Sequence, residues 1–322
     1  HYGHSIGEHQ ATIAAMMSRF SEVAAEKKHA WFREARTAEE IATIGPNNRY
    51  IGFPYPKYMN SILDVDQGAA LLMTSAGEAR RLGIPEDRWL YLWGCGEATD
   101  QWWFSERVDF HSSPAIRAAG QRALTMAGLT IDDIDVFDIY SCFPSAVQIT
   151  RDMLGIAPGD RRALTVTGGL PYFGGPGNNY VTHSIAAMTE HLRAHRGQKG
   201  LVTANGWYVT KHAIGVYSTD PPPAEWARTN PKADQAAIDA EPHPAIAEEA
   251  SGAATVETYT VLFDREGAPE RGIIVGRLGD GSRFLANTPA DRRLLESMTK
   301  HEMVGTAGTA HHADGLNVFT PA

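Results

Sequence analysis

Cysteine is nearly absent from this sequence. Cys95 and Cys142 are the two in 322 residues, far apart and set in apolar or glycine-rich surroundings. Their scarcity excludes a disulfide framework and any CxxC-type metal site, and a reducing, cytoplasmic setting fits it. Basic residues are in deficit too: 29 against 38 acidic ones give a formal net charge of −9. The chain therefore offers no general attraction for nucleic acid or for an anionic membrane. No apolar run approaches the roughly 18 to 20 residues that span a bilayer. The opening, HYGHSIGEHQ, has neither the basic n-region nor the apolar h-region of a secretory signal. It also lacks an initiator Met, which raises the expectation that part of the functional unit lies upstream.

What is present is a chain with 43% hydrophobic residues, long enough for two domains with their own cores. ATIAAMMSRFSEVAAEKKHAWFREA (11–35) spaces Ile13, Met16, Met17, Phe20, Val23 and Ala24 at helical intervals. IGPNNRYIGFPYPKYMNS then gathers Pro, Gly, Asn and aromatics without periodicity, as a structured loop does. Its Tyr50, Phe53, Tyr55 and Tyr58 suit either covering a ligand or packing the loop down. From Val65 the pattern alternates between apolar strand and amphipathic helix. GAALLMTS, WLYLWGCGEA, DVFDIY, GLVTAN and HAIGVYS read as strands. AGEARRLGI, SPAIRAAGQRALTMAGL, FPSAVQITRDMLG and YVTHSIAAMTEHLRAHRG read as helices, Ser113 capping the second with Pro114 at its first position. Such alternation predicts a layered α/β domain.

At TDPPPAEWARTNPKADQAAIDAEPHPAIAEEASG composition shifts to Pro, Ala and acids, as in a linker, extended or partly docked. Alternating runs follow, divided by DREG and GDG, with one short helical stretch, DRRLLESM. These predict a small all-β barrel, most simply of OB type. The organisation expected is a helical and loop region over 1–64, an α/β domain over 65–218, a linker over 219–250 and the barrel over 251–322. Arg265, Arg271, Arg277 and Arg283 are interspersed with acids in that barrel, which argues against a nucleic-acid-binding stripe.

Three loops carry residues suited to chemistry. In DIYSCFPSAVQI, Cys142 stands between a strand and a helix, where unsatisfied N–H groups and the helix dipole favour a thiolate. The alternative is a small residue filling a tight junction. Tyr140, two residues earlier, reaches the same side as a hydrogen-bond donor or packs there. TGGLPYFGGPGNNY holds Gly168, Gly169, Gly174, Gly175 and Gly177. Glycine lets a backbone approach a ligand, and its N–H groups can hold an anion or oxyanion. The spacing matches neither a Walker A loop nor GxGxxG. In TANGWYVTKH, Asn205 and Gly206 end a strand, where open α/β sheets present ligand-binding groups, or simply make a turn.

Taken in order, VDQGAALLMTSAGEARRLGI, SPAIRAAGQRALTMAGLTIDDIDVFDIYSCFPSA, TGGLPYFGGPGNNY and TANGWYVTKHAIGVYS resemble the C-terminal half of a thiolase. The match is with the sterol-carrier-type thiolases and thiolase-like proteins labelled acetyl-CoA acetyltransferases, over roughly residues 1–218. The terminal β segment is similar to OB-type domains that accompany some of them. The resemblance implies a thiolase-like layered fold, with the segment before Val65 in the loop region that covers the CoA site. It implies coenzyme A or an acyl-CoA as substrate or ligand, with no tightly bound cofactor, and dimerisation through the core sheet. It also implies that the N-terminal half with the nucleophilic cysteine is supplied from elsewhere, on the same gene product or another chain.

Carried over by residue, Cys142 matches the acid/base cysteine of the HDCF-like loop, with Tyr140 and Ser141 replacing its histidine and aspartate. The GHP triplet stands here as GGP, with Gly175 in the histidine position, and Asn205 matches the Asn of sterol-carrier-type members. Tyr140 in place of histidine also resembles thiolase-like aldolases that cleave a carbon–carbon bond without an acyl-enzyme. His183, one turn into the next helix, is placed either to substitute for the missing histidine or to pack. Acyl transfer, retro-aldol cleavage of a CoA thioester and non-catalytic acyl-CoA binding or scaffolding are the functions this pattern admits.

Overall fold

Ser5 starts the first helix of the computed structural model, which describes residues 1–228 and 230–322. Ser5 and Glu8 form a capping box at the head of α1 (Ile6–Ala25), and Ile13, Met17, Phe20 and Ala24 are its buried stripe. The helix begins before the apolar pattern does and stops well short of Ala35. A short α2 (Ala38–Ala42) packs against it. The aromatic loop contains two brief strands, β1 (Tyr50–Gly52) and β2 (Tyr55–Pro56). Tyr50 and Phe53 pack against the barrel core, while Tyr55 and Tyr58 pack against the α/β core.

The strand expected at GAALLMTS does not form. Residues 61–75 carry no secondary structure, and Leu72 and Met73 are 85% and 82% exposed. Strand propensity reflects fit to a sheet surface, and this segment pairs with no strand among the described residues.

The remaining units follow the predicted alternation: α3 (Ala76–Arg81), β3 (Tyr91–Thr99), α4 (Pro114–Ala127), β4 (Val136–Asp138), α5 (Pro144–Leu154), α6 (Tyr180–Ala194), β5 (Lys199–Gly206) and β6 (Lys211–Ser218). Ser113 caps α4 by accepting from Ile116 N. The sheet runs β3-β6-β5-β4, with β4 parallel to β5 and the other pairs antiparallel. Successive residues of a strand face opposite sides, so Phe137 and Leu201 meet α1, α4 and α5 while Val136 and Val202 meet α6. Two glycines bring α4 onto β3: a Cβ at Gly94 or Gly96 would stand 2.1 Å from a carbonyl oxygen of that helix.

The linker is docked in part. Its helix α7 (Lys232–Asp239) lies against α4 and β3, with Asp234 paired to Arg122 and Gln235 exchanging hydrogen bonds with the Thr99 backbone. Beyond it come β7 (Gly252–Phe263), β8 (Pro269–Leu278), β9 (Arg283–Asn287), α8 (Arg292–Met298), β10 (Ala307–Ala313) and β11 (Leu316–Pro321). Among the described residues these strands close in the order β7-β8-β9-β11-β10 and back to β7, with β9 and β11 parallel. A five-stranded barrel with its helix between the third and fourth strands is the OB arrangement expected. Val261, Ile274, Phe284 and Phe319 fill it.

Barrel and α/β domain are fastened at two places. β1 pairs with the β7 edge at Gly52 and Leu262. Arg283, wholly buried, bonds Glu257 and donates to the backbone carbonyls of Ser105 and Arg107 in the β3–α4 loop at 2.5 and 2.6 Å. Arg277 shares Glu257, so two of the barrel arginines are structural pairs.

Candidate functional site

The site is built at the ends of β4 and β5. β4 ends at Asp138, and Phe143 and Pro144 open α5, which leaves Cys142 just outside the helix. Across from it, the Asn205 amide nitrogen lies 3.8 Å from Cys142 Sγ. Tyr140 N donates to Thr203 Oγ1 at 2.9 Å, fastening the loop to β5, and its ring stands edge-on to Tyr180 at 5.4 Å. Three residues from two separate stretches, Tyr140 and Cys142 from one and Asn205 from the other, thus stand around one sheet end.

The thiolate expectation for Cys142 is corrected. Although the residue keeps some surface, burial pushes its thiol up from about 9 to about 11, outweighing backbone N–H donors and the Asn205 amide. Burial, with the nearby Cys142, likewise pushes Tyr140 up to about 12. At neutral pH both groups are neutral proton donors. The Asn205 carbonyl oxygen is buried with no protein hydrogen-bond partner among the described residues.

Asp138 organises the loop behind this site. One carboxylate oxygen accepts from Thr165 Oγ1, Val166 N, Thr167 N and Thr167 Oγ1 at 2.9 to 3.1 Å, and the other from Tyr180 OH at 3.3 Å. No motif marks this residue, although an aspartate inside the apolar DVFDIY is a signal for it: a buried charge persists only when partnered.

The glycine loop is more occupied than its composition suggests. Gly168 N and Gly169 N donate to Thr165 and Thr167 hydroxyls, Gly175 N to Ile62 O, and Gly177 N to Gly175 O. The expectation of open N–H groups therefore does not hold at these four positions. Gly168 (φ +105°) and Gly169 (φ +77°) lie where α1 crosses, since a Cβ would meet Ala24 at 2.4 Å and Phe20 at 2.5 Å. Residues 61–67 fill the other end: Ser61 N donates to Cys142 O, a Cβ on Gly175 would fall 2.1 Å from Ser61 Oγ, and one on Gly174 2.3 Å from Gln67 Oε1. Ser61 Oγ, Gln67 Oε1 and Tyr172 OH are buried there without partners among the described residues. His183 contacts Asn179 and packs edge-on against Phe173, which is the packing role.

An open cavity of about 190 Å³ lies on the other side of the sheet, lined by Cys95, Val181, Ile185, Val202, Ala204 and Tyr217. Asn205 alternates away from it, and its largely apolar wall suits a packing partner more than chemistry. Among the described residues no helix is long and apolar enough to cross a membrane.

Comparison with known proteins points one way. A family profile described as thiolase C-terminal domain-like matches residues 96–219, and one for the thiolase-like protein type 1 additional C-terminal domain matches residues 234–315. The crystal structure of a monomeric SCP2-thiolase like protein type 1 from Mycobacterium smegmatis superposes with a TM-score of 0.92 at 42% identity, covering 99% of this chain and 69% of that one. An acetyl-CoA acetyltransferase of Methanocaldococcus jannaschii is 25% identical over 123 residues. That stretch is 34% of this chain and spans 31% of the length of the relative.

Proposed function

This chain belongs to the thiolase superfamily, among its sterol-carrier-type thiolase-like proteins, and from that premise we propose that it binds an acyl-CoA thioester between Cys142, Tyr140 and Asn205. The observation that carries the reading is the Asn205 amide held 3.8 Å from Cys142 Sγ at a sheet end, where an amide N–H can stabilise charge developing on a thioester oxygen. The Gly168 to Gly177 loop shapes the site by packing rather than by open N–H groups. Acyl transfer of the acetyl-CoA acetyltransferase type needs a nucleophile, which we assign to an N-terminal half outside these residues. Exposed Leu72 and Met73, and the apolar cavity behind the sheet, are surfaces suited to such a half. By analogy with the monomeric relative, we take the assembled protein to be a monomer, in place of the dimer the family suggests; light scattering of full-length protein checks this.

The deciding measurement is calorimetric titration of full-length protein with CoA and acetyl-CoA, followed by turnover assays. Binding lost on Asn205→Ala but retained in Cys142→Ser supports the reading, and absence of any CoA binding sinks it. A second reading, retro-aldol cleavage, is favoured by Tyr140 alone: a phenol pushed up to about 12 remains a proton donor across the working range and suits protonation of a departing fragment. Full cleavage of a 3-hydroxyacyl-CoA by Tyr140→Phe would count against it.

A further inference from the structure

Across the β5–β6 hairpin, Asn205 stands directly opposite His212 in the antiparallel register. Opposed residues leave a sheet on the same face, with Cβ atoms about 4.5 to 5.5 Å apart. Thr203, two residues before Asn205 on β5, shares that face, and it is the residue to which Tyr140 N fastens the Cys142 loop. One stretch, TANGWYVTKH, supplies both members of the opposed pair.

His212 is an interior residue. Its side chain is 2% exposed and that of Asp100, beside it, 1%, with Nε2 3.5 Å from Asp100 Oδ2. Asp100 is itself fixed at the head of α4, where Ser113 Oγ donates to Oδ2 and Ala115 N donates to Oδ1 at 2.9 Å. The positive end of the helix dipole suits a carboxylate there, and a carboxylate beside an imidazole orients the ring.

Two buried polar atoms of this group have no hydrogen-bond partner among the described residues: His212 Nε2 and Asn205 Oδ1. Leaving such atoms unbonded is costly. They are complementary, because an imidazole donates through at least one nitrogen and an amide oxygen accepts. The other end of the same amide, Asn205 Nδ2, lies 3.8 Å from Cys142 Sγ. An amide turned end for end would offer the sulfur an acceptor in place of a donor, so whatever holds Oδ1 decides what Cys142 meets.

We infer that His212 is the positioning residue of the site: braced by Asp100, its imidazole donates to Asn205 Oδ1, directly or through one bridging water, and keeps the amide nitrogen turned towards Cys142. Its bearing on a bound thioester rests on the acyl-CoA reading given above; its bearing on Cys142 does not.

The test is the rate of iodoacetamide labelling at pH 9 in full-length protein, read by mass spectrometry on the peptide that carries Cys142. His212→Phe keeps a ring of similar shape without its N–H, His212→Met does the same service should the phenylalanine variant not fold, and His212→Gln restores a donor. The phenylalanine variant is expected to label about fivefold more slowly than the wild type, the effect of losing one modest hydrogen bond to the sulfur. The glutamine variant should stay near the wild-type rate. Adding His212→Phe to Asn205→Ala should slow labelling no further, because the effect runs through that amide. A purely structural role predicts the opposite sign, since loosened packing exposes the thiol. Unchanged or faster labelling in His212→Phe, no rescue by glutamine, or full additivity with Asn205→Ala overturns the inference. Titration with CoA and acetyl-CoA tests the thioester: His212→Phe should lose affinity for acetyl-CoA by a similar factor and keep it for CoA. Equal affinities of His212→Phe and wild type for acetyl-CoA, with CoA bound, overturn that half. Failure of CoA itself to bind removes the acyl-CoA reading and leaves the labelling result to stand or fall alone.

Discussion

Gly175 and Ser61 occupy one another's space: a Cβ on the glycine would stand 2.1 Å from the serine hydroxyl oxygen, and 3.1 Å from the carbonyl of Ile62. At Gly175, the position that the resemblance sets against the histidine of the GHP triplet, there is no room for a side chain. The segment 61–67 lies across its position, hydrogen-bonded to Cys142, Leu170 and Gly175. Gly175→His, the substitution that would restore the family sequence, is expected to destabilise the protein by at least about 1 to 3 kcal/mol through overpacking, with no gain in turnover. Urea unfolding monitored by tryptophan fluorescence checks it, and a stable, more active variant would show that residues 61–67 yield easily.

The raised thiol of Cys142 has a pH signature. Its folded-state value, about 11, lies above the ordinary value near 9, so the folded protein holds this proton more tightly than the unfolded chain. The stability so contributed is complete below pH 9 and is lost as pH rises through about 11. In a Cys95→Ser background, iodoacetamide labelling of the folded protein should be slow at pH 8 and climb towards pH 11. In urea it should level off near pH 9. A plateau below pH 9 in the folded protein would contradict this account.

Asp138 separates two substitutions that look alike on paper. Asp138→Ala strips acceptors from two backbone N–H groups and three hydroxyls, each a buried donor costing about 1 to 3 kcal/mol when left unmade. Asp138→Asn can place its carbonyl in the crowded position and turn its amide towards Tyr180. We expect the alanine variant to lose several kcal/mol or fail to fold, and the asparagine variant to lose far less, as thermal melts will show.

Arg283 is the fastening between barrel and α/β domain. Removing it leaves Glu257 short of a buried partner and frees the carbonyls of Ser105 and Arg107. Glu257 keeps Arg277, so the cost falls on the two buried carbonyls, at about 1 to 3 kcal/mol each when left unmade. For Arg283→Met we expect that loss together with faster hydrogen exchange across residues 101–112, because Arg283 braces the loop bearing Trp102 and Trp103. Unchanged exchange there would mean the loop is held by other contacts.

Much of the architecture was readable from local pattern. Ser113-Pro114 marked a helix start, DREG and GDG marked hairpin turns, and the alternation between them separated the α/β domain from the barrel. Local signals of that kind act over a few residues, and tertiary structure seldom overrides them when several agree. GAALLMTS failed because a strand is a pairing, and the apolar run cannot reveal whether a partner edge is present. The same limit applied at the site. That Tyr140, Cys142 and Asn205 belong together was legible only through the order of their motifs, since the sequence separates Cys142 from Asn205 by 63 residues.

By itself, then, the sequence determined the layered α/β domain, the barrel and the loop that carries Cys142. Only the tertiary structure decided what those residues can do. Packing buried the Cys142 thiol and reversed the expected effect of a helix start, because desolvation outweighs a few N–H donors. Packing also laid Ser61 across Gly175, engaged the N–H groups of Gly168, Gly169, Gly175 and Gly177, and left the indole of Trp207 about half exposed two residues from Asn205. Burial and steric exclusion depend on neighbours distant along the chain, and composition and spacing carry no record of them.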